Sequence, residues 1–167
     1  MGEEFDRALA MGIKTETDGM EMYGNAAKKS TNPLGKALFE SLVADERNHL
    51  KAIKARAGKG WRKPGNTPRD RIRTVFQDVT KDIKERLSAD PTDVEAIRIA
   101  LEFERKGYHM YKEAAKKVLD AKGHDLFEWL AGEENEHFKI LQDLLEYLEK
   151  TYSWFVANEG PILDGGG

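Results

Sequence analysis

Apolar residues recur along this chain at steps of three and four, the period of a helix with one buried face. Leu9, Ile13, Met20, Tyr23 and Ala27 mark a first stripe, and Phe39, Leu42 and Ile53 a second. Ile97, Leu101, Tyr108, Tyr111, Ala115 and Val118 form a third, and Phe127, Leu130, Leu141, Leu144 and Leu148 a fourth. Every stripe is interrupted, in register, by groups that do not belong in a core: Glu16, then Glu46 and His49, then Glu104, then Glu134 and His137. Breakers fall between the stripes. Ser30-Thr31-Asn32-Pro33 separates the first pair and Asp120-Ala121-Lys122-Gly123 the second, while Asp90-Pro91 opens the third helix. Gly58 to Pro68 reads as a loop. Ile72, Val75, Phe76, Val79, Ile83 and Leu87 predict a further amphipathic helix over Arg69 to Leu87, along the crossover between hairpins.

The two halves are copies. Shifted by 88 residues, the 36 positions from Glu16 to Lys51 meet 16 identical residues without a gap. Met22-Tyr23 meets Met110-Tyr111, Ala26 to Lys29 meets Ala114 to Lys117, and Glu16, Glu46 and His49 meet Glu104, Glu134 and His137. Two copies are too few for a solenoid. Two helical hairpins instead make an all-α four-helix bundle. The expected organisation is one domain over 1–167: a first hairpin at 3–57, a crossover loop and helix at 58–90, a second hairpin at 91–157 and a tail at 158–167. The last helix overruns its partners toward Trp154 and Phe155, an apolar end that needs cover.

Composition narrows the function. At 167 residues, with 40% hydrophobic and 34% charged positions, the chain suits one soluble helical core. A net charge of −3 is too small to imply a nucleic-acid or membrane partner. There is no cysteine, which removes disulfides, thiolate metal sites and thiol catalysis. The first residues carry neither a basic flank nor an apolar run, and no stretch approaches a membrane span, so a cytoplasmic location is the default expectation.

The interrupting residues carry chemistry. Glu16 and Glu46 are 30 residues apart with Thr31 midway, and Glu104 and Glu134 are 30 apart with Leu119 midway. Residues equidistant from the turn of an antiparallel hairpin stand at one height, here about 22 Å from the turn at 1.5 Å per residue. His49 and His137 follow their glutamates by three residues and share their face. Packed together, the hairpins bring four carboxylates and two imidazoles to one buried level. Such a cluster is intolerable without cations. Two divalent ions balance four carboxylates. Oxygen with imidazole suits iron or manganese, and zinc can also bind. Six ligands on two ions leave positions open for water, oxygen or peroxide.

At Glu16 to Tyr23, Asp45 to His49, Glu104 to Tyr111 and Glu133 to His137, the chain resembles the rubrerythrin-like branch of the ferritin-like superfamily, from roughly Phe5 to Tyr152. The resemblance implies a ferritin-like bundle with a non-haem di-iron centre that turns over peroxide or oxygen, in a homodimer or larger homo-oligomer. It also implies that Glu46 and Glu134 bridge the metals. Glu16, Glu104, His49 and His137 would be terminal ligands, and Tyr23 and Tyr111 match the family's tyrosine positions, where they read either as hydrogen-bond partners of a ligand or as aromatic core residues. Two departures matter. Where rubrerythrins carry an extra glutamate three residues after the third-helix ligand, this chain has Gly107. The ligand set is then symmetric, closer to the bacterioferritin type. The cysteine-containing rubredoxin domain of full-length rubrerythrins has no counterpart, so electrons would come from a separate donor.

Three readings follow from the sequence: a di-iron oxidoreductase reducing peroxide or oxygen, a ferritin-like iron oxidation and storage protein, and a non-catalytic module with a structural di-metal site. Lys54 to Arg73 carries eight basic residues and one acid, with Trp61 among them, and reads either as a solvated loop or as a dock for an acidic redox partner. Asp45, Glu133 and Glu136 are expected to point away from the ligand face, and His109 and His124 to be surface residues.

Overall fold

A computed structural model describes residues 2–58, 60–65, 67–70 and 91–159, with only the backbone described at 91–92 and 151–159. The crossover helix expected over 69–87 falls almost wholly outside the described residues, as does most of the tail. Among the described residues there are four long helices and no strand: α1 (Glu3–Lys29), α2 (Pro33–Ala57), α3 (Pro91–Lys117) and α4 (Ala121–Glu159). The protein is an all-α, ferritin-like bundle.

Local chemistry sets the turns. Asn32 caps α2, its side chain accepting from the Leu34 and Gly35 amides at 2.9 and 3.1 Å, with Pro33 at the first helical position. Its copy, Asp120, accepts from the Gly123 amide at 2.8 Å at the start of α4. The acids Glu3, Glu4 and Asp6 open α1 and Lys28 and Lys29 close it, as the helix dipole favours.

Within each hairpin the helices pack closely, α1 on α2 and α3 on α4, and across the hairpins α1 meets α3 and α2 meets α4. Cross-hairpin contacts fix the sense of both pairings. Glu16 reaches Tyr111 while Tyr23 reaches Glu104, and Asp45 reaches His137 while His49 reaches Glu133, so both pairs run antiparallel. Two apolar clusters result. One gathers Tyr23, Leu38, Phe39, Leu42, Ile97 and Leu141 toward the α1–α2 turn. The other gathers Phe5, Leu9, Ile53, Tyr111, Leu126 and Phe127 toward the α3–α4 turn. The charged layer lies between them.

The buried stripe of α1 differs from the sequence expectation at two steps, Gly12 for Ile13 and Gly19 for Met20. Gly12 and Gly19 face inward with Glu16 and Tyr23, while Ile13 is 37% exposed. The cause is close approach. A Cβ on Gly12 would stand 3.0 Å from Ile53 Cδ1, and one on Gly19 3.1 Å from Phe103 Cε1 and 3.3 Å from Glu46 Cδ. Hydrophobicity alone assigns such positions to the neighbouring isoleucine or methionine, because glycine carries no apolar signal.

Candidate metal centre

Glu16, Glu46, His49, Glu104, Glu134 and His137 converge between the two apolar clusters, each at most 1% exposed. Their donor atoms form two overlapping groups. Glu16, Glu46, His49 and Glu134 can each offer one atom within 4.8 Å of the others, and so can Glu46, Glu104, Glu134 and His137. Glu46 and Glu134 belong to both, which is the position of a carboxylate that bridges two ions. Each group draws on both hairpins.

The imidazoles are oriented by acids from the opposite hairpin. His49 Nε2 lies 3.4 Å from Glu133 Oε2, and His137 Nε2 lies 3.3 Å from Asp45 Oδ2. A carboxylate there holds a proton on Nε2 and reserves Nδ1 for a cation. Nδ1 of each ring faces the cluster: His49 Nδ1 is 3.1 Å from Glu16 Oε2, and His137 Nδ1 is 3.4 Å from Glu134 Oε2 and 3.5 Å from Glu46 and Glu104. This corrects the sequence expectation that Asp45 and Glu133 point away. They precede the shared glutamates in sequence and are nearly fully buried. The available signal was the repeat, which places an acid at both positions. Glu136 does face outward, pairing with Lys139 at 2.7 Å, and His109 and His124 are exposed.

The outer carboxylates are held by exchanged tyrosines. Tyr23 donates its hydroxyl hydrogen to Glu104 Oε1, and Tyr111 donates to Glu16 Oε1. Each phenol ring stacks on a core phenylalanine, Tyr23 on Phe39 at 6.2 Å and Tyr111 on Phe127 at 6.1 Å. Burial, then the nearby carboxylates, push both phenol pKa values well above 10. They remain neutral donors.

The electrostatics of the bare cluster are those of crowded acids. Burial first, then the Glu46 charge, raises Glu16 to about 8. Burial and the charges of Glu104, Glu46 and Glu16 raise Glu134. Burial also acts on Glu46, but the close approach of Glu16 and of the His137 and His49 imidazoles, at 3.4–3.5 Å for the rings, outweighs it and keeps this carboxyl ionised. Burial opposes charge on His49 and His137, yet Glu16 and Glu104 respectively, with the other acids, raise both imidazoles well above 6.5. Protons thus stand in for missing positive charge.

The residues fit a pair of metal ions. Both oxygens of Glu46 and of Glu134, Oε2 of Glu104 and Nδ1 of His137 are buried without a hydrogen-bond partner among the described residues. Buried lone pairs left this way are costly unless a cation takes them. All of them line one space. The rubrerythrin family model matches residues 7–145. The chain belongs to the rubrerythrin family. No curated protein and no solved structure gives a significant match. Family and cluster together indicate a di-metal site in a ferritin-like bundle. No helix among the described residues is long and apolar enough to cross a membrane.

Proposed function

We propose that this rubrerythrin-family chain is a non-haem di-iron oxidoreductase that reduces peroxide or oxygen with electrons from a carrier outside these residues. The observation that supports this reading best is the sharing of Glu46 and Glu134 between two buried ligand groups, with lone pairs that no donor among the described residues satisfies. A bound iron pair supplies the electrons that break the O–O bond. The chain does the rest. Glu46 and Glu134 hold the two ions near enough to act together. Glu16 with His49, and Glu104 with His137, complete the two ends. Tyr111 and Tyr23 fix the outer carboxylates by hydrogen bonds, and Glu133 and Asp45 fix the imidazole tautomers. Two apolar clusters limit water around the site.

Metal analysis of the purified protein, followed by anaerobic reduction and titration with peroxide, tests the reading. About two iron ions per chain, reoxidised by one peroxide, is the expected result. Glu46→Ala with Glu134→Ala removes both ions. Full retention of metal in that variant, or an iron spectrum unmoved by peroxide and oxygen alike, refutes the proposal.

A further inference from the structure

The duplication is broken at one contact of the centre. Trp129 of α4 packs edge-on to the His49 ring, with centroids 5.4 Å apart and planes at 89°. The equivalent position of the first hairpin, 88 residues earlier, is Ser41. A bundle of this kind therefore does not need an indole there. Trp129 is itself 8% exposed and meets Trp61 of the loop after α2 at 5.8 Å. Trp61 is half-buried and lies between two surface cavities of about 420 and 810 Å³, both lined by the two tryptophans; the smaller one also reaches His49 and Glu133. Three rings thus run in near-contact from a candidate ligand to the surface, on the His49 side.

The outer end of this path is basic. Lys51, Arg62, Lys63 and Lys122 are exposed on the cavity walls, and among the described residues none of them forms an ion pair. Of the acids there, Glu128 is held by Lys112 at 2.8 Å, Glu133 is buried against His49, and Asp125 is exposed beside His124, so four exposed cations face one exposed acid. The Trp61 indole N–H is buried and meets no acceptor among the described residues. Uncommitted cations around a half-buried aromatic favour a carboxylate-bearing partner surface.

We infer that Trp61 and Trp129 form the electron inlet to the His49 side of the centre, and that the basic rim seats an acidic one-electron carrier protein. The inference rests on the di-iron reading for its endpoint. In each transfer the carrier loses one electron and a ferric ion beside His49 gains it, becoming ferrous. The indoles mediate tunnelling and are neither oxidised nor reduced. Two transfers reduce the pair.

A reduced acidic plant-type ferredoxin is the probe. First, its binding to the metal-free protein is measured by calorimetry at low and high salt. Arg62→Glu with Lys63→Glu is expected to weaken binding about tenfold or more, and salt to weaken it in the wild type. Second, ferredoxin is mixed anaerobically with the ferric-loaded protein and its reoxidation followed by stopped flow. Trp61→Leu and Trp129→Leu are expected to slow this step at least about tenfold, with Trp129→Phe largely restoring it, while in Trp61→Leu, which lies away from the ligands, metal content and reoxidation by peroxide stay at wild-type values. Wild-type rates in both leucine variants, absence of ferredoxin binding by the wild type, or binding insensitive to the charge reversal overturns the inlet. A wild-type protein that binds ferredoxin but whose iron does not respond to peroxide overturns the di-iron reading instead.

Discussion

Removing the metals should make stability fall as pH rises, against the habit of most proteins near neutrality. Glu16 has its carboxyl raised from 4.5 to about 8 by burial and Glu46. Between pH 7 and 8 the unfolded chain has already lost this proton while the folded, metal-free chain retains much of it. A raised folded pKa contributes stability that is full below the unfolded value and lost as pH climbs through the folded one. Each such proton lowers stability by at most about 1.4 kcal/mol per pH unit. Glu134, His49 and His137 are raised too, so all four act in the same direction above pH 6.5. Glu46 is shifted down, and its contribution changes only below 4.5, outside the window. For a domain of this size, 1 kcal/mol moves Tm by about 2–4 °C. One retained proton therefore lowers Tm by up to roughly 3–6 °C from pH 7 to 8, and more protons by more. Metals displace these protons, so the loaded protein should show a much flatter profile and metal binding should release protons. Calorimetric unfolding of chelator-treated and iron- or zinc-loaded samples at pH 6.5, 7.5 and 8.5 measures the slope. Binding heats in two buffers of different ionisation enthalpy count the protons. A metal-free Tm that is flat or rising over this range, or metal binding without proton release, refutes the reasoning.

Three further outcomes are expected. Glu133→Gln and Asp45→Asn should each weaken metal binding by about 10- to 100-fold, read by chelator competition, because the imidazole tautomer is no longer fixed. Tyr111→Phe and Tyr23→Phe remove the donors to Glu16 and Glu104, and each should cost the metal-free protein about 1–3 kcal/mol in denaturant unfolding. Gly107→Ala and Gly19→Ala should differ despite their equivalence in the repeat. A Cβ on Gly107 meets Glu134 at 3.5 Å, an ordinary contact, so the gain in helix propensity of about 1 kcal/mol should show as a higher Tm with metal content kept. On Gly19 it presses Phe103 at 3.1 Å and Glu46 at 3.3 Å, and metal affinity should fall.

Much of this arrangement is legible in the chain because helices encode it twice. The stripes of α2 and α4 are buried as read, from Phe39 to Ile53 and from Phe127 to Leu148, since their inward positions are large and apolar or are the charged residues themselves. The equal spacing of Glu16 from Glu46 and of Glu104 from Glu134 carries the height of the charged layer. Contacts between hairpins are less legible. A helical wheel sends Asp45 and Glu133 off the ligand face, and only the antiparallel pairing of α2 with α4 returns them to the partner's imidazole. Trp61 sits in an irregular loop, where periodicity says nothing about contacts, so its stacking on Trp129 has no sequence signature beyond an indole among basic residues.

The exchanged bonds bear on how the two hairpins depend on each other. Tyr23 serves Glu104 and Tyr111 serves Glu16, while Asp45 serves His137 and Glu133 serves His49. Each of these four orienting groups comes from the opposite hairpin. A hairpin alone would expose its half of the core and leave each Glu and His without the group that fixes it. Two identical hairpins could build the symmetric part of the site, because every one of these contacts has a counterpart 88 residues away. Joining them in one chain permits what an identical pair cannot have: a difference between the ends of the centre. That difference is concentrated at Trp129 against Ser41, next to His49, where the bundle opens toward the basic loop. On this argument symmetry serves the holding of two ions, and its break at Trp129 serves their connection to the outside.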